Sequence, residues 1–202
     1  MARTLDIEAR DARKQAILDA TIQALARDGV AASTTRSLAA AAGINQATLL
    51  YYFESKEALL AAVLQEMMRR TRELVIAAAS SAPDLRVAVA ESIRAFWSSV
   101  EHEPKLEMIQ QELTLYALRN ADSTWLAREQ YAGYGAVVAA ILAEAFTAAG
   151  QQCAVPFDAL ARFIIAALDG LILQFLSDRD AARARRDLDL LIAAVLALAG
   201  LA

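Results

Sequence analysis

Places where a helix must stop are scarce in this chain, and their positions dictate what it can fold into. Its 202 residues include 7 glycines and 3 prolines. Alanine and leucine fill most of the stretches between them, which favours helix over a strand-and-turn architecture. The expected class is therefore all-α. Breaks are expected at Gly29, Gly43, Pro83, Pro104, Asn120 to Asp122, Gly150 to Pro156, and Ser177-Asp178.

Ahead of the first break, Ala12, Ile17, Ala20, Ile22 and Leu25 recur near helical spacing, and Gly29 stands where a left-handed cap would end that helix. Ser33-Thr34-Thr35 can cap a short helix from Arg36 to Ala42 that stops at Gly43. Asn45 can cap another over Gln46 to Phe53, and Ser55 a longer one from Lys56 to about Ser80. Helices as short as the second and third do not persist alone. Two of them around a glycine turn, braced by two long ones, form a helix-turn-helix plan. Beyond Pro83, long amphipathic helices are expected near 83–102, 105–120, 122–150, 155–178 and 180–201.

Several function classes are disfavoured by composition. A single cysteine, Cys153, and a single histidine, His102, cannot assemble a His/Cys metal cluster within one chain, so neither metal nor other cofactor is expected. The first residues mix both charge signs without an apolar core, unlike a secretory signal or transit peptide, so the expected location is cytoplasmic. The longest apolar runs, Leu190–Leu201 and Phe163–Leu168, are too short to span a bilayer, and no membrane partner is expected. A mean hydropathy of +0.34 is nevertheless high for a monomer and points to apolar surface hidden against a second subunit or around a cavity. The net charge of −4 is unevenly spread: up to Lys56, seven basic residues face six acidic ones, which leaves −5 for the remainder. That direction suits nucleic acid at the N-terminal end only.

The run TTRSLAAAAGINQATLLYYFESKEALL, Thr34 to Leu60, resembles the DNA-binding signature of the tetracycline-repressor (TetR) family. Thr34, Arg36, Leu38, Ala39, Ala42-Gly43-Ile44, Thr48-Leu49, Tyr52-Phe53 and Ser55-Lys56-Glu57 stand at that family's spacings. The resemblance implies an N-terminal three-helix DNA-binding domain, 1–56, and a helical ligand-binding and dimerisation domain, 57–202.

The residues are suited to that role. Leu49 and Phe53, four apart, share a face that would anchor the third helix and leave Gln46, Ala47, Leu50 and Tyr51 outward. In helix-turn-helix proteins the start of the second helix meets base edges. There Gln46 can pair bidentately with adenine, and Ala47 and Thr48 can offer methyl contacts to thymine. Arg36 can reach a guanine edge or a phosphate. The resemblance further implies phosphate contacts from Thr34, Asn45, Tyr51, Tyr52 and Lys56, although Thr34 and Asn45 equally suit a helix cap alone and Tyr52 a packed core position. Where the family commonly has tyrosine this chain has Leu50, an apolar group in place of a hydroxyl.

In the C-terminal part the resemblance is one of plan. It implies dimerisation through the last two helices, where Phe157, Leu160, Ile164, Leu168, Leu171 and Phe175 form one stripe and Leu188, Leu191, Ile192 and Val195 a second. These would meet their copies across a two-fold axis, or else close one subunit's own core. The aromatic-rich middle helices offer Trp97, Met108, Glu112, Tyr116, Trp125, Tyr131 and Tyr134 as lining for an apolar or aromatic effector, against the plainer reading of core residues. The resemblance implies a repressor that binds a palindromic operator in double-stranded DNA as a homodimer and leaves it when a small molecule binds. The chain has no recognisable nucleophile turn, phosphate loop or metal signature, so no enzyme is expected. The alternative is a helical small-molecule carrier without a DNA function.

Overall fold

The computed structural model describes residues 2–201, with side chains for 8–201. Among these the regular structure is helical and free of strands. In order come α1 (Ala2–Asp28), α2 (Thr35–Ala41), α3 (Gln46–Phe53), α4 (Lys56–Ser80), α5 (Leu85–His102), α6 (Pro104–Arg119), α7 (Thr124–Ala148), α8 (Phe157–Asp178) and α9 (Ala181–Ala199), with a single 3-10 turn, Ala121–Ser123, ahead of α7.

Local chemistry sets the helix ends. Gly29 and Gly43 adopt left-handed φ values of 79° and 66°, which a residue without a Cβ reaches at no steric cost. The Thr34 side chain accepts the Ser37 N–H while the Ser37 hydroxyl accepts the Thr34 N–H, a reciprocal pair that satisfies two donors at the start of α2. Asn45 caps α3 by accepting the Thr48 N–H at 2.8 Å. Asp84 does the same for α5 and Asp180 for α9.

The chain forms two compact units: residues up to Met67 with Met108–Arg128, and Met68–Glu107 with everything from Glu129 onward. The division expected at 56/57 is thus not where compactness changes. The short helices α2 and α3 bring Leu38, Leu49 and Phe53 but too little apolar surface to enclose them. Ile17, Ile22 and Leu25 of α1, Leu59, Leu60 and Val63 of α4, and Ile109 and Leu113 of α6 are buried in the same unit.

The second unit has its own core of Val89, Ile93, Trp97, Val100, Phe146, Leu160, Ile164, Ile172, Phe175, Leu188 and Val195, among others. Trp97 meets Phe175 edge-on at 5.7 Å between ring centres, and its indole N–H donates to Glu101 at 3.0 Å. The Arg185 guanidinium closes on the same carboxylate at 2.6 Å and holds it below the ordinary carboxylate range.

The packing of α8 and α9 bears on the stripes expected at a subunit contact. The stripe assigned to subunit contact (Phe157, Leu160, Ile164, Leu168, Leu171, Phe175, Leu188, Leu191, Ile192, Val195) faces the subunit's own core, with Leu160 1% exposed and Val195 fully buried. Helices α8 and α9 pack directly on each other, so their best-matched apolar faces satisfy one another first. Two helical stretches, Ala121–Ala148 and Phe157–Asp178, are long and apolar enough to cross a membrane by length and composition alone, a test that core helices also pass and that does not conflict with the expectation of no membrane partner. Scattered polar groups such as Asp169 interrupt α8, so it does not show in the sequence as one unbroken apolar run.

Candidate DNA-reading surface and effector region

In the first unit, α3 lies with Leu49 and Phe53 buried and Gln46, Ala47 and Tyr51 exposed, Tyr51 to 69%. This is the face that i, i+4 spacing anticipates. Leu50 is half-buried, so its apolar side chain is only partly offered to a partner. Arg36 is exposed on α2 beside this face. The Gln46 side-chain amide reaches back to the Thr35 hydroxyl at 3.4 Å, a long bond that a base edge could replace.

Other expected contacts are already engaged. The Thr34 and Asn45 side chains serve as caps, and the Thr48 hydroxyl donates to the Asn45 carboxamide oxygen at 3.0 Å. Tyr52 is half-buried and stands edge-on to Tyr51 at 5.4 Å. The Lys56 ammonium donates to the Ser33 carbonyl at 2.6 Å and lies 4.9 Å from the centre of the Tyr116 ring. Burial lowers its pKa, partly opposed by Glu57. Lys56 therefore holds the α1–α2 turn in place, whatever it also offers a phosphate.

Sequence reasoning passed over two cations. The Arg10 guanidinium lies 5.8 Å from the Tyr51 ring centre, and the Lys14 ammonium 5.5 Å from that of Phe53. Both are exposed on α1 and four residues apart, so one helix face carries positive charge to the edge of α3. The signal was a basic cluster, Arg10, Arg13 and Lys14, diluted in the sequence by Glu8 and Asp11.

The residues expected to line an effector site fall in different units. Met108, Glu112, Tyr116 and Trp125 belong to the first, and Trp97, Tyr131 and Tyr134 to the second. Trp97 is a core residue. Glu112 accepts the Val30 backbone N–H at 2.6 Å, and Tyr116 donates to Glu57 at 3.0 Å, so both serve as internal ties.

In the second unit Tyr131 and Tyr134 stand edge-on at 6.0 Å. The Tyr131 hydroxyl donates to Asp169 at 2.9 Å, and the Gln130 amide donates to the Tyr134 hydroxyl at 3.1 Å. Burial raises the Tyr134 phenol well above its ordinary value. Glu107 is buried, and burial together with the negative charge of Asp169 pushes its carboxyl up to about 7. Sequence reasoning missed Glu107, Gln130 and Asp169. For Asp169 the signal was an acid within the apolar run FIIAALDGLIL.

Comparisons with known proteins bear on both regions. Residues 17–63 match the family described as bacterial regulatory proteins, tetR family. Over 189 residues, 94% of this chain and 96% of the other, the chain is 26% identical to the HTH-type nicotine-responsive transcriptional repressor HdnoR of Paenarthrobacter nicotinovorans. Among solved structures it is similar to the transcriptional regulator FadR of Bacillus subtilis in complex with stearoyl-CoA, with a TM-score of 0.70, 21% identity and coverage of 88% of this chain and 97% of that one. Salmonella enterica GusR matches with a TM-score of 0.70, 23% identity and coverage of 94% and 96%.

Proposed function

The chain is a transcriptional regulator of the TetR family, and on that premise we propose that it is a repressor that binds a palindromic operator as a homodimer in the cytoplasm and leaves it when a small apolar or aromatic effector binds. The observation that carries the reading is the α2–turn–α3 face: Arg36, Gln46, Ala47 and Tyr51 stand outward on helices anchored by Leu38, Leu49 and Phe53. The donors on that face match what base edges and phosphates accept.

Dimerisation is supported by a face that the single subunit leaves open. Phe163, Ala166, Gly170 and Leu173 follow one another at steps of three and four on α8, opposite the buried stripe, and Leu173 is 53% exposed. A side chain added at Gly170 would meet open space. On α9, Leu190 is 71% and Leu198 40% exposed. An isologous contact of two such helix pairs suits a two-fold operator whose half-sites lie roughly 10 base pairs apart.

An effector would act by binding one conformer better than the other, which shifts the spacing of the two recognition helices. Among similar proteins one is nicotine-responsive and one was crystallised with stearoyl-CoA. Of the expected lining, Tyr131 and Tyr134 remain the best candidates for effector contact.

The test is selection of bound sequences from a random DNA pool at moderate salt. A palindromic site should emerge, and Gln46→Ala should relax preference at one position of each half-site. Negligible affinity for every sequence even at low salt would point instead to the helical carrier.

A further inference from the structure

We infer that Glu112 is a positioning residue for DNA reading: from α6 its carboxylate holds the backbone turn that launches α2. This rests on the operator-binding reading and concerns a group outside the DNA-reading face.

The contact joins residues 82 apart in the chain. The Val30 N–H donates to a Glu112 carboxylate oxygen at 2.6 Å, and the Val30 side chain is fully buried. A backbone N–H buried at a turn needs an acceptor, and an ionised one binds it more strongly than a neutral carbonyl. Gly29, at φ +79°, leaves the space that the carboxylate occupies: a Cβ there would lie 3.1 Å from the nearer Glu112 oxygen.

From Val30 the restraint reaches α2 through a tight turn. The Ser33 hydroxyl donates to the Val30 carbonyl at 2.7 Å, and the Ser33 carbonyl accepts from Lys56 at 2.6 Å. The next residue, Thr34, is the α2 cap, and Arg36 follows two positions on. One turn after Glu112, on the same face of α6, Tyr116 donates to Glu57 and lies beneath Lys56. The turn is thus gripped by Glu112 on one side and Lys56 on the other. A displacement of α6 by about 1 Å would stretch the 2.6 Å contact beyond hydrogen-bonding range, so the register of α2 depends on where α6 stands.

Reach and charge can be separated with full-length variants. Glu112→Gln keeps an acceptor at the same length without the charge, Glu112→Asp keeps the charge but loses the reach, and Glu112→Ala loses both. Binding to the selected operator and to non-specific duplex is read by fluorescence anisotropy, amide exchange of the peptide containing Val30 by mass spectrometry, and folding by thermal unfolding.

Positioning requires Ala and Asp to weaken operator binding about tenfold, with non-specific affinity little changed, and to speed Val30 exchange, while Gln stays within about threefold of wild type. If Glu112 acts only as a negative charge near DNA, Ala and Gln will both bind more tightly and Asp will match wild type, which overturns the inference. Unchanged Val30 exchange in folded Glu112→Ala also overturns it, whether or not the wild type selects an operator. Failure of the wild type to select one overturns the regulator reading itself.

Discussion

The two compact units solve the problem of burying apolar helix surface in opposite ways. In the first, short helices bring small faces, and their ends are set by the caps Thr34 with Ser37 and Asn45 with Thr48, by the left-handed glycines Gly29 and Gly43, and, at the end of α3, by Glu54 at φ 61°. One apolar face per helix goes inward and a polar one outward. In the second, α8 carries apolar residues on nearly all sides, so the core takes Leu160, Ile164 and Phe175 and still leaves Phe163 and Leu173 in solvent. A helix with one apolar stripe has one way to pack, whereas one with two can serve a core and a partner at once. On the proposed reading, the first unit presents polar groups to DNA and the second keeps an apolar face for another subunit.

The largest effects should separate the units. Leu49→Ala removes the fully buried anchor of α3 and should cost about 2–5 kcal/mol. Operator binding should disappear while sedimentation still reports the dimer; loss of the dimer as well would show that the units do not act separately.

Next is the buried acid of the second unit. The Glu107 carboxyl titrates at about 7 in the fold against an ordinary value of 4.5. A raised value means that the folded chain holds the proton more tightly than the unfolded one. Its contribution is therefore fully present below about 4.5 and is lost as pH rises through 7. Glu107→Gln should gain roughly 3 kcal/mol relative to wild type on going from pH 4 to pH 8, read from denaturant midpoints at each pH. A constant difference across that range would place the acid in a wetter setting than its burial implies.

The proposed partner face comes third. Leu173→Glu sets a charge on the open stripe of α8 and should weaken self-association at least about tenfold by analytical ultracentrifugation, with helical content unchanged. An unaltered dimer would move the interface elsewhere. The smallest effect belongs to Arg10. Arg10→Ala should lower the slope of log affinity against log salt by about 1 if the guanidinium beside Tyr51 also meets a phosphate, and leave it unchanged if the side chain only packs on the ring.

The first unit was the more legible of the two. Asn45, Gly43 and the Leu49/Phe53 pair act within a few residues of themselves, so their roles follow from spacing, and α3 and α4 stand where the caps place them. The contacts that spacing does not reveal are of another kind. Glu112 and Tyr116 look like polar groups for a ligand, but their partners, Val30 and Glu57, lie 82 and 59 residues away. Lys56 suits a phosphate by its position at a helix start, yet its ammonium already meets the Ser33 carbonyl.

By itself the sequence determined that the chain would be helical, where most helices end, and which side of α3 faces outward, because backbone capping and 3.6-residue periodicity are local properties. Only the tertiary structure decided which apolar stripe of α8 is core and which is left open, that Glu112 of α6 meets the α1–α2 turn, and that Asp169 comes close enough to Glu107 to raise its carboxyl. Each of those depends on groups distant in sequence that come together only when the helices pack.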